Sequence, residues 1–156
     1  MRSRQGLNHP AADPPIGKTF FSWPARVYYQ HTDAGGVVFH GDYLNFMEAS
    51  RAEMLRAMGF DVGELARQDG VVFVVHTLEL RYQRPARLGD SLDIVVRSPK
   101  ASGARLELEQ AVMRAGETLV SARITLACVN ARNQRPIPIP EAIRRGFARD
   151  TARGQE

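Results

Sequence analysis

The chain has 156 residues, of which 44% are hydrophobic and 24% charged, and its formal net charge is +4. These proportions are typical of one soluble globular domain, and no segment reaches the ~18 unbroken apolar residues of a membrane-spanning helix. The single cysteine, Cys128, excludes an internal disulfide and fits a reducing compartment, so we expect a cytoplasmic location.

Half of the net positive charge lies in the two ends of the chain. Residues 18–140 contain 15 Lys or Arg against 13 Asp or Glu, and they contain no basic stripe interleaved with aromatic residues. Because a phosphate backbone is usually bound by such a stripe, we expect no nucleic-acid binding. The proline-rich residues 1–17 predict a flexible leader, and residues 143–156 predict a basic tail.

The first predicted elements are a strand and a long helix. The segment FFSWPARVYYQ, residues 20–30, is rich in aromatic and β-branched residues, and its proline places it at a sheet edge or a bulge. A loop over 31–41 follows. Residues 42–59 predict a helix with Asp42 as N-cap and Gly59 as its end. A short second helix is expected over 61–68. The apolar stripe of the long helix comprises Tyr43, Leu44, Phe46, Met47, Ser50, Met54, Leu55 and Met58.

Four further strands are predicted after the helices, because apolar residues alternate with polar ones between turn signals. The final segment, ARNQRPIPIP, contains three prolines and cannot extend a sheet. One strand, one long helix and four strands predict an α+β domain in which the helix crosses an antiparallel sheet. The predicted inward-facing residues are Val72, Val74, Leu78, Leu80, Tyr82, Leu92, Ile94, Val96, Leu106, Leu108, Val112, Val120, Ala122, Ile124, Leu126 and Cys128.

The segment HTDAGGVVFHGDYLNF, residues 31–46, combines an acid, two glycines and a helix start. One interpretation is a simple turn in which Asp33 bonds nearby backbone N–H groups. The alternative is a reaction site. Gly35 and Gly36 allow backbone to approach a ligand, and the helix start near His40 offers free N–H groups and a positive dipole to an oxyanion. An ionised Asp33 beside it would act as nucleophile or base, which is an acyl-transfer arrangement.

Three motifs resemble one family. YYQHTDAGGVVFHGDYLNFMEASRAEML is similar to the signature of hotdog-fold acyl-CoA thioesterases of the 4-hydroxybenzoyl-CoA thioesterase type, especially the bacterial subgroup associated with the Tol-Pal envelope system. LRYQRPARLGD resembles the family's Pro-Ala-x-x-Gly-Asp turn, and RNQRPIPIP its closing segment. The resemblance covers about residues 18–142. It implies a hotdog fold, in which a curved antiparallel sheet of about five strands wraps a long central helix, assembled as a homodimer and as a homotetramer.

The resemblance also implies a site at the subunit interface. It assigns the catalytic carboxylate to Asp33 and the backbone N–H that polarises the thioester carbonyl to His40. The His40 residue type also suggests a general-base role for its side chain, although the resemblance uses its backbone. Some enzymes of this fold use a helical acid as the base, which makes Glu48 a further alternative. The expected substrate-binding residues are Gly36, Val38, Tyr43 and Glu48. The expected coenzyme A phosphate contacts are Lys100, Arg105 and Arg132.

The expected activity is hydrolysis of acyl-CoA to free CoA and a carboxylic acid, without a cofactor. No metal is expected, because the four histidines lack ligand spacing, and His76 is expected to be a satisfied or interface residue. Asp42 departs from the family pattern, and its charge near the thioester could raise the pKa of Asp33. The competing interpretation is a non-catalytic protein that binds acyl-CoA or acyl-carrier protein near the cell envelope.

Overall fold

The computed structural model describes residues 17–153, so residues 1–16 of the predicted leader lie outside the described part of the chain. Its five strands form one antiparallel sheet in the order β1-β3-β4-β5-β2, with α1 packed across it. The predicted α+β class, with a helix on an antiparallel sheet of five strands, is therefore confirmed. The elements are β1 (Thr19–Arg26), α1 (Asp42–Ala57), α2 (Val62–Glu64), β2 (Val71–Tyr82), β3 (Ser91–Ser102), β4 (Arg105–Arg114), β5 (Glu117–Asn130) and α3 (Glu141–Arg153).

The two edge strands differ in character. β1 is an edge strand, as Pro24 predicted, because a residue without an N–H is tolerated there. It ends at Arg26, earlier than expected, because the chain turns into a short 3-10 helix at Tyr29–His31. β2 is the opposite edge and runs for 12 residues with one side unpaired within the described chain.

Helix α1 buries most of the predicted apolar stripe against the sheet, whereas Leu44 is exposed and Met58 is half-buried. Two polar contacts fix its position: Ser50 Oγ donates to the Ile94 carbonyl at 3.0 Å, and Gln110 Nε2 donates to the Met47 carbonyl at 3.1 Å. The helix ends before Gly59, whose φ of +97° suits a residue without Cβ. Its buried residues are Tyr43, Phe46, Met47, Ser50, Met54 and Leu55.

The predicted N-cap of α1 was wrong by one position. Gly41 occupies the N-cap and makes no side-chain cap, while Asp42 is the first helical residue. The Asp42 carboxylate instead accepts a hydrogen bond from Asn45 Nδ2 at 3.2 Å. An acid in the first turn still interacts favourably with the helix dipole, which explains why it is tolerated there.

The predicted inward face of β2 was correct only in its second half, where Leu80 packs against the core while Leu78 and Tyr82 are exposed. The pairing of β2 with β5 shifts between Val75 and Thr77, and this bulge inserts an extra residue. The register therefore places Phe73 opposite the buried Cys128, so Val72 and Val74 face the other side. A bulge reverses the alternation of every residue beyond it, and sequence alternation alone does not show where it falls.

The C-terminal segment is part of the fold up to Arg153. Residues Glu141–Arg153 form α3, and Ile143 and Phe147 are buried in the same core as α1. Phe147 packs its ring 5.8 Å from that of Phe20. The boundary predicted after residue 142 lies inside the first turn of this helix. The two buried residues of the helix are four positions apart among charged residues, so in the sequence the segment resembles a basic tail.

Candidate active site

The loop that precedes α1 is a small hairpin. Phe39 N–H donates to the His31 carbonyl at 2.8 Å, and Asp33 N–H donates to the Val37 carbonyl at 2.9 Å. The turn closes when Gly36 N–H donates to the Asp33 carbonyl at 3.1 Å, with a φ of +78° at Gly36. A left-handed conformation strains any residue with a Cβ, so the glycine is required by this turn.

Asp33 projects from the first arm of this hairpin and is exposed. Its Oδ1 accepts the Gly35 N–H at 2.8 Å, which fixes the carboxylate. A Cβ at residue 35 would lie 3.1 Å from Oδ1, so glycine at this position leaves room for the carboxylate. The local turn that Asp33 was expected to make is therefore present, and it presents the acid to solvent.

The start of α1 carries free hydrogen-bond donors. Asp42 N–H donates to the Phe39 carbonyl at 2.9 Å, and Leu44 N–H donates to the Gly41 carbonyl at 3.1 Å. Within residues 17–153, the backbone N–H groups of His40 and Gly41 have no hydrogen-bond acceptor. Unpaired N–H groups at the positive end of a 16-residue helix can stabilise a developing oxyanion.

A pocket of about 220 Å³ opens beside this helix start. Three of the residues predicted from sequence, Val38, His40 and Tyr43, form part of its wall. The Tyr43 ring is buried, and burial raises the pKa of its hydroxyl, so the group is protonated at neutral pH. Its Oη accepts the Ala86 N–H at 3.0 Å. The full lining comprises Val38, His40, Tyr43, Tyr82, Gln83, Arg84 and Pro85.

The remaining predicted site residues do not line this pocket, and Asp33 is among them. Gly36 shapes the hairpin turn rather than the pocket wall, and Glu48 lies exposed on the next turns of α1. The neighbouring Arg51 donates to Gln110 Oε1 at 2.8 Å. Burial of Arg51 lowers the pKa of its guanidinium.

The expected phosphate contacts lie together at one end of the sheet. Lys100 and Arg105 flank the β3–β4 turn, and Arg132 comes just after the end of β5. The pocket lies at the opposite end, where Gln83 and Arg84 donate their N–H groups to the Leu119 carbonyl near the start of β5. Within one chain, therefore, these three cations are far from the pocket.

The contacts that residues 82–90 make with the candidate site were not predicted from the sequence. Tyr82 Oη donates to the His40 carbonyl at 2.9 Å, and the Ala86 carbonyl accepts the Val38 N–H at 2.9 Å. This segment therefore holds both the loop and the helix start. The motif LRYQRPARLGD was the available signal, but its residues were interpreted only as a strand end and a turn.

Asp90 holds that segment in place. Its Oδ2 accepts the Arg87 N–H at 2.8 Å and Arg114 Nη1 at 2.7 Å. Burial alone would raise the pKa of Asp90, but these two hydrogen bonds and the charge of Arg114 outweigh it and lower the pKa. The turn that touches the pocket is thus joined to β4 by an ionised carboxylate.

Other titratable residues form no second site in the described part of the chain. His76 is exposed at the bulge of β2. Cys128 is buried, and burial raises the pKa of its thiol, as suits a small core residue. Between residues 17 and 153, no group of three His, Cys, Asp or Glu side chains is placed to hold a metal ion. None of the helices described is both long and apolar enough to cross a membrane.

Comparisons with known proteins identify the family of this chain. The model of the thioesterase-like superfamily matches residues 27–147. An acyl-CoA thioesterase YbgC of Haemophilus influenzae is 39% identical over 127 residues, which cover 81% of this chain and 93% of that protein. An acyl-CoA thioester hydrolase YbgC of Escherichia coli is 40% identical over 129 residues, covering 82% and 96%.

A solved structure, a probable thioesterase from Bartonella henselae, is 37% identical and superimposes with a TM-score of 0.73. The match covers 76% of this chain and 98% of the Bartonella chain. The family match spans both the hairpin with Asp33 and the helix start at His40. The chain therefore belongs to the thioesterase-like superfamily and has the hotdog fold.

Proposed function

We propose that this protein hydrolyses acyl-CoA thioesters to free CoA and a carboxylic acid. The observation that carries the proposal is the combination of an exposed carboxylate, Asp33, with unpaired N–H groups at the start of α1 beside a pocket. The relatives named as acyl-CoA thioesterases, at about 40% identity over most of the chain, support the same chemistry.

Asp33 has two possible roles in this reaction. As a nucleophile, its carboxylate oxygen bonds to the thioester carbon, the carbon–sulfur bond breaks, and CoA leaves as thiolate. Water then hydrolyses the resulting anhydride and regenerates the carboxylate. As a general base, Asp33 instead takes a proton from water as the water attacks the same carbon. The Gly35 N–H at 2.8 Å holds the carboxylate in either role.

The N–H groups of His40 and Gly41 are the proposed oxyanion site. Negative charge develops on the carbonyl oxygen as the tetrahedral intermediate forms, and donors that are already oriented stabilise it without reorganisation. Val38 and Tyr43 in the pocket wall would contact the acyl part of the substrate. Gly36 contributes by shaping the turn that carries Asp33.

We also propose that the protein is a homodimer joined through the free edge of β2. The edge is long, and Val75 and Leu78 are 50% and 39% exposed on it. Unpaired edges with apolar side chains favour pairing with another strand. Symmetric antiparallel pairing would place the start of one β2 beside the end of the other.

That pairing would bring Arg132 of the second subunit towards the pocket. The turn that contains Arg132 lies beside the start of β2, because Ala131 N–H donates to the Gly70 carbonyl at 2.9 Å. We propose that Arg132, and with it Lys100 and Arg105 at the same end of the sheet, serves the coenzyme A phosphates bound at the partner's pocket.

The proposal extends to three finer points. These are a cytoplasmic location, an association with the Tol-Pal system, and acyl-carrier protein as a second thioester carrier. A homotetramer built from two dimers belongs to the same proposal. Sedimentation equilibrium of the full chain would measure the oligomer, and thiol release from acyl-carrier-protein thioesters would test the second carrier.

Thiol-release kinetics test the activity. The substrates are acetyl-, hexanoyl-, palmitoyl- and benzoyl-CoA, and the variants are Asp33→Asn and the matched control Asp93→Asn, whose residue is exposed on β3. We expect Asp33→Asn to lower kcat by about 10³-fold or more and Asp93→Asn to leave it unchanged. Near-normal turnover of Asp33→Asn would refute the assignment. Tight acyl-CoA binding without any thiol release would favour a binding or scaffold protein.

A further inference from the structure

Tyr82 makes a contact that the pocket wall alone does not require. It is the last residue of β2, and its hydroxyl donates to the His40 carbonyl at 2.9 Å across 42 positions of sequence. The side chain is 53% exposed, so water could satisfy the hydroxyl without this bond. Its ring also meets that of Tyr43 edge-on, with centroids 5.7 Å apart. The bond therefore fixes the backbone of the helix start rather than satisfying a buried group.

The bonded carbonyl belongs to the peptide that carries the Gly41 N–H. Because a trans peptide is planar, its C=O and N–H point in opposite directions, and fixing one fixes the other. With the His40 carbonyl held by Tyr82, the Gly41 N–H points out of the N-terminus of α1, where no described residue accepts it. A hydrogen bond to the carbonyl also polarises the amide and strengthens its N–H as a donor.

A local turn also holds this peptide. The Asp42 N–H closes that turn by donating to the Phe39 carbonyl at 2.9 Å, and the N-cap residue Gly41 makes no side-chain cap. A Cβ at residue 41 would lie 3.0 Å from the Phe39 ring, so a side chain there would require this exposed ring to shift. Tyr82 adds a contact from β2 to the local turn that carries the donors.

We propose that Tyr82 is a positioning residue of the reaction, which acts through the His40–Gly41 peptide and orients the N–H groups that stabilise the oxyanion. The inference rests on the proposed hydrolysis of acyl-CoA. Loss of the hydroxyl leaves the pocket wall intact but lets the peptide rotate. The transition state carries negative charge on the carbonyl oxygen and the bound substrate does not. Loss of the hydroxyl therefore raises the free energy of the transition state more than that of the bound substrate.

The test compares Tyr82→Phe with Tyr29→Phe, a control whose side chain is 81% exposed and outside the pocket lining. Both are assayed with whichever of acetyl-, hexanoyl-, palmitoyl- and benzoyl-CoA the wild type hydrolyses fastest. The loss of one hydrogen bond in the transition state corresponds to roughly a factor of ten in rate. We therefore expect kcat of Tyr82→Phe to fall about 10-fold, with KM within about twofold of the wild-type value. Tyr29→Phe should match the wild type in both.

A spectroscopic measurement separates orientation from a general loss of structure. In an Asp33→Ala background, which holds substrate unreacted, the Raman carbonyl stretch of bound benzoyl-CoA should lie at lower frequency than in water. Adding Tyr82→Phe should move it back towards the value in water. An unchanged stretch, an unchanged kcat, or a rise in KM alone would overturn the role of Tyr82. If the wild type hydrolyses none of the four thioesters, the proposed function itself fails.

Discussion

Tyr43→Phe removes one oxygen from the contact between α1 and the segment 85–87. The Tyr43 side chain is 2% exposed, and its Oη accepts the N–H of Ala86, which is itself fully buried. The substitution keeps the ring, so it creates no large cavity, but it leaves a buried backbone donor without a partner. Such a donor costs about 1–3 kcal/mol, and we expect the free energy of unfolding to fall by about 2 kcal/mol.

Calorimetry and urea denaturation measure this change directly. For a domain of this size, about 2 kcal/mol corresponds to a fall in Tm of about 4–8 °C. Tyr29→Phe, at an 81% exposed position, should change stability by less than about 0.5 kcal/mol. A Tyr43→Phe protein that is also within about 0.5 kcal/mol of the wild type would refute the idea that this hydrogen bond holds the 85–87 segment against α1.

Two further predictions concern the loop and its supports. Because the folded-state pKa of Asp90 is lowered, its stabilising contribution is present above the unfolded pKa of about 4 and is lost as the pH falls through the lower folded value. The free energy of unfolding should therefore fall less steeply with decreasing pH in Arg114→Met than in the wild type. Stability curves that run parallel over the acidic range would contradict this. Gly36→Ala places a Cβ at φ +78° and should cost about 1 kcal/mol of stability while lowering kcat, whereas unchanged values in both would show that the turn tolerates it.

The location of the candidate site could be predicted because its signals are local. An acid, two glycines and a helix start are consecutive in residues 31–46, and the structure forms a hairpin and a helix from them in that order. Val38, His40 and Tyr43 line one pocket beside the helix start. The catalytic roles of Asp33 and His40 stay predictions that kinetics must test.

The supports of the site could not be predicted from local pattern. Tyr82 meets His40 only because β2 ends beside α1, and Asp90 meets Arg114 only because two separate turns lie side by side. Each contact joins residues more than 20 positions apart. A single strand pattern carries no information about which distant backbone group its last residue will reach.

By itself the sequence determined the fold class, the length and buried face of α1, and the loop that carries Asp33, since these depend on periodicity and on turn residues within a few positions. Tertiary structure alone decided the bulge that reverses the faces of β2, the packing of Ile143 and Phe147 into the core, and the distance of Arg132 from the pocket. The physical reason is that strand register and helix docking are set by the combined packing of all five strands, and short-range sequence preferences cannot specify that sum.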